Sequence, residues 1–138
     1  MDFSWSDEQR EMFKAVSTFA RKELNDGLIG RDRDAVFNHE GWKQCGAVGL
    51  PGLTVPAEYG GAGADALTAV GVLEKFGHAC RDNGLTFSLN AHLWTACMPL
   101  VEFGTDTQKQ KFLPGLSRGD LIGGNAMSEP GSGSDDFS

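Results

Sequence analysis

Basic residues and cysteines are both scarce in this sequence. Twelve Lys and Arg stand against nineteen Asp and Glu, which gives a formal net charge of −7. Because nucleic acids and anionic membranes attract a clustered basic surface, this balance disfavours both as main partners. Cys45, Cys80 and Cys97 are odd in number and far apart, so they predict neither a disulfide framework nor a Cys-x-x-Cys metal site. We therefore expect a reducing, cytoplasmic setting.

Long apolar runs are absent as well. No stretch approaches the roughly 18 apolar residues of a membrane span, and the start MDFSWSDEQREMF lacks the basic and apolar regions of a secretory signal. The sequence thus predicts neither a membrane span nor secretion. Its 138 residues, 40% hydrophobic and 22% charged, fit one globular domain with one core.

Helix caps and apolar periodicity predict a mostly helical first half. Ser6 and Gln9 form a capping-box pattern that begins a first helix. Asn38 and Asp65 are suitable N-caps for a second and a third. Between the second and third lies LPGLTVPAEYGGAGAD, a loop long enough to suggest a role of its own.

The second half predicts two more helices and one strand. The span Asp82 to Phe103 is apolar nearly all round, so we expect this fourth helix at the centre of a bundle. A short helix should begin at Thr105 and end before Pro114. LIGGNAM, residues 121–127, is typical of a strand weakened by glycines. A lone strand has no partner, so we expect the polypeptide to continue into a sheet.

Three stretches carry a resemblance to a known family: GLTVPAEYGG, FGTDTQKQKFLPGLSRGD and AMSEPGSGSDDFS. With them, the sequence from about Trp5 to Ser138 resembles the N-terminal part of the acyl-CoA dehydrogenases. These are FAD enzymes that introduce a double bond between the α and β carbons of an acyl-CoA thioester. The most specific stretch matches the family signature. Its specified positions are filled by Ala126, Met127, Ser128, Glu129, Ser132, Gly133, Ser134, Asp135 and Ser138.

The resemblance implies an all-α fold. Residues 1–120 would form a helical bundle of the acyl-CoA dehydrogenase N-terminal type, and residues 121–138 the first strand and flavin-contact loop of a middle β domain. Members of the family are usually much longer, and their catalytic glutamate lies in a C-terminal domain. On this resemblance no catalytic base can be named in the chain.

The resemblance also implies an FAD site. Backbone amides beside glycines and short hydroxyl side chains suit the flavin edge. The implied FAD contacts are Asn125, Met127, Ser128 and Gly133, and Ser134 is expected between the flavin phosphates and the pantetheine arm of the substrate. Asn125 departs from the aromatic or apolar residues common at its position, which bears on substrate preference more than on flavin binding. A flexible Gly-Ser linker is the alternative interpretation of this stretch.

The fourth predicted helix is implied to line an acyl pocket. Phe87, Ser88, Ala91 and Thr95 recur at helical spacing and are the implied lining residues, although plain bundle core is an equal alternative for Phe87. The small Ala91 and Thr95 favour space for an acyl chain or a branched one. We interpret His92 as making a structural hydrogen bond rather than acting as an acid or base.

The sequence therefore predicts part of a flavin-dependent oxidoreductase that desaturates an acyl-CoA thioester, with one wall of the FAD and acyl sites in this chain. Two alternatives stay open. One is an enzyme of the same fold that acts on a carrier-protein thioester, and the other is a non-catalytic helical module for binding or assembly. The implied partners are an electron-transfer flavoprotein or similar acceptor and further copies of the chain, as a dimer or tetramer.

Overall fold

The computed structural model describes residues 4–135, which form a helical bundle. The helices are α1 (Asp7–Glu23), α2 (Leu28–Arg33), α3 (His39–Ala47), α4 (Ala66–Ala79), α5 (Asn83–Ala91), a π-helical segment (His92–Cys97), α6 (Met98–Phe103) and α7 (Asp106–Ser117). Two 3₁₀ turns, Leu50–Gly52 and Ala57–Tyr59, lie in the long loop before α4. The all-α fold class is confirmed.

Side-chain caps begin the helices where the sequence predicts them. The Ser6 hydroxyl accepts from the Gln9 amide at 3.1 Å, and the Gln9 side chain accepts from the Ser6 amide at 2.8 Å. Asn38 and Asp65 accept from the amides three residues further on, at 2.9 and 2.8 Å. Each such cap is worth about 1 kcal/mol, which explains why these starts are readable from local sequence.

The predicted fourth helix is continuous in its course but is not a single α-helix. It comprises α5, the π segment and α6, and Asp82 caps its start through the Leu85 amide at 3.1 Å. Pro99 has no N–H to donate, and the helix widens into the π segment just before it. The expectation that this element lies at the centre of the bundle is wrong for the described residues, because one of its faces is buried while Phe87 and Phe103 are 74% and 84% exposed.

Two further predictions are wrong: the end of α7 and the strand at residues 121–127. α7 does not end before Pro114 but continues to Ser117, because Leu113 and Leu116 on either side of the proline are both buried. No strand forms at residues 121–127, since in the part of the chain that the structure describes this stretch has no neighbour to pair with. The short α2, which begins after Gly27 at φ +69°, was not predicted.

The core is built mainly by α1 packing on α4. Gly71 of α4 lets the Phe13 ring approach so closely that a Cβ there would lie 2.6 Å from a ring carbon. Trp5 packs edge-on against the same ring at 4.9 Å between centroids. A side-chain hydrogen bond of 2.7 Å from Gln9 to Thr68 joins the first turns of the two helices. The N-terminal helix is thus fixed by packing and by one polar contact.

All three cysteines are buried free thiols. Burial raises the pKa of Cys45 and of Cys97 to about 12, so neither thiol is ionised near neutral pH. Among residues 4–135, no helix combines the length and apolar character needed to cross a membrane.

The turn at Leu50–Gly52 packs directly against the end of α7, and we predict that Gly52→Ala destabilises the chain by about 1–3 kcal/mol through overpacking. A Cβ at Gly52 would lie 2.9 Å from the Ser117 carbonyl oxygen, which is backbone and cannot rotate away. Urea unfolding of the 138-residue chain measures the change. Gly30→Ala, in α2 with nothing within 4 Å of the added carbon, is the matched control. Equal midpoints for the two variants would contradict the close contact.

Candidate functional site

The chain continues after α7 as an exposed segment without regular secondary structure. Asn125, Met127 and Ser128 are all exposed, Met127 by 57% of its surface. Within residues 4–135, the backbone amides of residues 124–128 donate to no acceptor. The segment therefore presents a row of backbone donors that the described part of the chain leaves available to a ligand or to a neighbouring strand.

A tight turn follows this row of donors. The amides of Glu129 and Ser132 each donate to the other residue's carbonyl, at 2.9 and 3.1 Å. The Ser132 hydroxyl donates to the Asp135 carbonyl oxygen. Gly133 and Ser134 lie beyond the turn and are exposed, and a Cβ at Gly133 would meet nothing within 4 Å. The Gly-Ser stretch thus begins with a hydrogen-bonded turn, which a free linker does not require.

The outer face of α5 and of the π segment carries the predicted acyl-wall residues. Phe87 is 74% exposed, Thr95 is exposed, and Ser88 and Ala91 are half-buried. The Thr95 hydroxyl donates to the Ala91 carbonyl at 2.7 Å, so its hydrogen is engaged within the helix. Plain bundle core is therefore the wrong interpretation of Phe87. The four residues lie on one side of the bundle and form a face whose apolar surface comes from Phe87 and Ala91.

Two hydrogen bonds fix the chain between this face and the exposed segment after α7. Trp42 Nε1 donates to the Gly119 carbonyl at 2.8 Å, and the Gly123 amide donates to His92 Nδ1 at 2.9 Å. The Trp42 and His92 rings meet edge-to-face at 5.2 Å between centroids. The interpretation of His92 as a hydrogen-bonding structural residue is confirmed.

The electrostatics of His92 agree with this contact. Burial lowers the pKa of the imidazole, while the nearby carbonyls of Leu116 and Pro51 act in the opposite direction. Neither carbonyl accepts a hydrogen bond from Nε2 in the geometry of the structure. Because Nδ1 accepts from an amide, the neutral ring carries its proton on Nε2.

The structure brings the predicted residues into two groups joined by one contact. One group lies on α5 and the π segment, and the other on residues 125–134, with His92 and Gly123 between them. Ser138, which completes the signature, lies outside the described residues. The roles of Trp42, Gly119 and Gly123 were not predicted, since nothing near each residue in sequence indicates its partner. Among residues 4–135, no cluster of His, Cys, Asp or Glu could hold a metal ion.

Comparison with known proteins assigns the family. The sequence profile described as "Acyl-CoA dehydrogenase, N-terminal domain" matches residues 6–120. The chain belongs to the acyl-CoA dehydrogenase family. The matched range covers every helix from α1 to α7, so the family assignment rests on the whole bundle.

Individual members of the acyl-CoA dehydrogenase family match nearly the full chain. It is 38% identical over 135 residues to an L-prolyl-[peptidyl-carrier protein] dehydrogenase of Pseudomonas fluorescens, covering 98% of this chain and 35% of that protein. It is 39% identical over 133 residues to the mitochondrial isovaleryl-CoA dehydrogenase of Pongo abelii, covering 94% of this chain and 31% of that protein. The solved structure of PigA with FAD and proline superposes with a TM-score of 0.91 at 36% identity, covering 99% and 36% of the two chains. The chain thus spans about a third of the length of these relatives.

The lowered pKa of His92 predicts a specific pH dependence of stability. An imidazole whose pKa is lower in the folded state contributes stability above its unfolded pKa, near 6.5, and that contribution is lost as pH falls through the folded pKa. We expect the free energy of unfolding to fall between pH 7.5 and 5.5, and His92→Asn to remove part of this fall. His78→Asn, at an exposed position, is the control and should keep the full slope. Equal slopes for the two variants in urea unfolding would show that His92 is not the titrating group.

Proposed function

We propose that this chain is the helical wall of a flavin-dependent dehydrogenase that oxidises the α,β carbons of an acyl thioester. In this proposal residues 1–120 form the helical domain, and residues 121–138 begin a middle β domain. The observation that carries the proposal is the row of available amides at residues 124–128, which begins directly after Gly123, the residue in contact with His92. Further domains, supported by the greater length of the relatives, would complete the site.

The donor set of this chain fits FAD. An isoalloxazine edge carries carbonyl and ring-nitrogen acceptors, which need close donors without bulky neighbours. The amides of Asn125, Met127 and Ser128 are available, and the exposed Ser128 hydroxyl adds another donor. Gly133 and Ser134 follow the turn, where no side-chain atom crowds the backbone of Gly133. FAD, when bound, supplies the acceptor for the two electrons that leave the substrate.

The residues of this chain would bind, orient and exclude water rather than move the proton. The carboxylates of Glu129 and Asp135 lie at the exposed turn, and the His92 ring is buried with Nδ1 already engaged. The α proton would accordingly pass to a carboxylate in another part of the complete protein, and the apolar face would keep water from the reacting carbons.

The substrate class is proposed as an acyl-CoA, with a carrier-protein thioester as the second candidate. Both share the thioester and the pantetheine arm, which Ser134 would contact. The carrier-protein candidate is supported by the Pseudomonas relative, whose substrate is a prolyl group on a carrier protein, and by PigA with FAD and proline. The small Ala91 and the half-buried Ser88 support a compact acyl group, branched or cyclic, in either case.

The remaining proposals concern partners and location. An electron-transfer flavoprotein or similar acceptor would reoxidise the flavin, and the complete protein would assemble as a dimer or tetramer in the cytoplasm and act in fatty acid metabolism. A non-catalytic assembly module remains a different candidate, favoured by the exposed Phe87 and Phe103, which are 74% and 84% exposed. Flavin content separates the module from the enzyme.

We predict that the complete protein, purified from its native source, carries FAD and that one thioester class bleaches the oxidised flavin band. The experiment titrates the anaerobic protein with a branched acyl-CoA, prolyl-CoA and a prolyl-carrier protein while the visible spectrum is recorded. The 138-residue chain with added FAD is the control and should turn over none of them. Protein without flavin would contradict the enzyme and favour the module, and turnover by the short chain would contradict the proposed division of the site.

A substitution on the outer face of α5 tests the acyl wall. Ala91→Phe adds a ring to a half-buried position, so we expect at least about a tenfold loss of kcat/KM for the preferred thioester and a smaller loss for propionyl-CoA or a propionylated carrier, the smallest acyl group with a β carbon, because a pocket cannot absorb that volume without strain. Ala66→Phe, at an exposed alanine at the start of α4, is the matched control. Equal losses for large and small acyl groups would exclude Ala91 from the pocket.

A further inference from the structure

His92 makes one hydrogen bond through its ring, and that bond spans 31 residues of sequence. The ring is fully buried, and Nδ1 accepts from the Gly123 amide at 2.9 Å. The contact is tight on both sides, since a Cβ at Gly123 would lie 2.5 Å from Cβ of Ala96, one turn further along the π segment. Glycine is therefore required at the point where the chain meets the helix.

The bond joins the two groups of candidate site residues. His92 directly follows α5, whose outer face carries Ser88 and Ala91. Gly123 directly precedes the row of available amides at residues 124–128. His92 and Gly123 are therefore each next in sequence to one of the two groups. Their hydrogen bond fixes where the row of donors begins relative to the outer face of α5.

Trp42 holds the His92 ring and the chain shortly before Gly123 in place. Trp42 of α3 packs edge-to-face on the His92 ring and holds the Gly119 carbonyl through Nε1. Gly119 has φ +76°, which favours glycine, and a Cβ there would lie 3.2 Å from Trp42 Nε1. The ring of His92 is thus held in place by packing, and its acceptor is aimed at one amide.

We propose that His92 is a positioning residue for the flavin, acting through Gly123 and the amides of residues 124–128. The inference rests on the proposed function, because it assumes that FAD is the ligand of those amides. A residue that served the core alone would affect only stability. A positioning residue also controls the order of the segment and the affinity for FAD.

Replacing His92 by Asn or by Gln tests whether the position of the hydrogen-bond acceptor matters, because both side chains are polar and carry an acceptor oxygen. Asn carries its acceptor oxygen at the same bond distance from the backbone as Nδ1, whereas Gln carries it one carbon further out. His92→Asn should therefore keep the contact with Gly123, and His92→Gln and His92→Leu should lose it. Leu85→Val shortens a buried side chain of α5 and is the control for a loss of stability alone.

The experiment uses the complete protein and two readouts. Hydrogen–deuterium exchange of the peptide covering residues 121–128 is measured without FAD, and the dissociation constant of FAD is measured by titration of the apoprotein. Loss of this buried hydrogen bond should speed exchange of the Gly123 amide within that peptide about tenfold and raise the dissociation constant of FAD about tenfold in the Leu and Gln variants. His92→Asn should restore both values to within about threefold of the unmodified protein, and Leu85→Val should change the melting temperature only.

Each other outcome decides against a part of the inference. Unchanged exchange in His92→Leu, or no rescue by His92→Asn, would overturn the role of the Gly123 contact. Faster exchange with unchanged FAD affinity would overturn the link to the flavin. An unmodified protein that binds no FAD would overturn the proposed function instead, and the exchange measurement alone would then decide whether His92 orders the segment.

Discussion

The structure depends on how closely the chain after α7 approaches the rest of the bundle. Between Ser117 and Gly123 the backbone lies against α3, the turn Leu50–Gly52 and the π segment. Such contact is possible only where side chains are absent, and Gly46, Gly52 and Gly119 supply the space. Backbone-to-backbone contact of this kind leaves the two segments little freedom to move relative to each other. Steric exclusion alone therefore fixes the point at which the chain leaves the bundle, and the hydrogen bonds add to it.

Local rules account for the parts of the fold that could be predicted. The capping boxes at Ser6 and Thr105 are complete within four residues, so the starts of α1 and α7 are readable from sequence. The end of α7 is not, because the burial of Leu116 outweighs the hydrogen bond lost at Pro114, and burial depends on elements far away in sequence. The same limit applies to residues 121–127, whose apolar pattern suits a strand but whose pairing requires a neighbour.

In the candidate site, too, some features could be predicted from the sequence and others could not. The signature around Ser128 is contiguous, so the segment could be identified by its resemblance to the family signature. The exposure of Phe87 could not, because the pattern of this helix is apolar on both faces and only packing tells them apart. The contact from Gly123 to His92 could not be predicted from the sequence either, since an isolated histidine on an apolar helix indicates a hydrogen bond but not its partner.

The available amides and the apolar face limit what can cover this side of the bundle. In water, free amides cost nothing, because water accepts from them, but a covering surface that removed water without offering acceptors would cost about 1–3 kcal/mol for each amide. In an extended strand alternate amides point to opposite edges, so one neighbouring strand uses only every second donor. A strand on one edge would leave the other edge to a ligand rich in acceptors, and the exposed Phe87 would be covered by an apolar group. Flavin beside an acyl chain meets both requirements, whereas a purely apolar partner helix meets only the second and would leave the amides of Asn125 and Met127 unsatisfied.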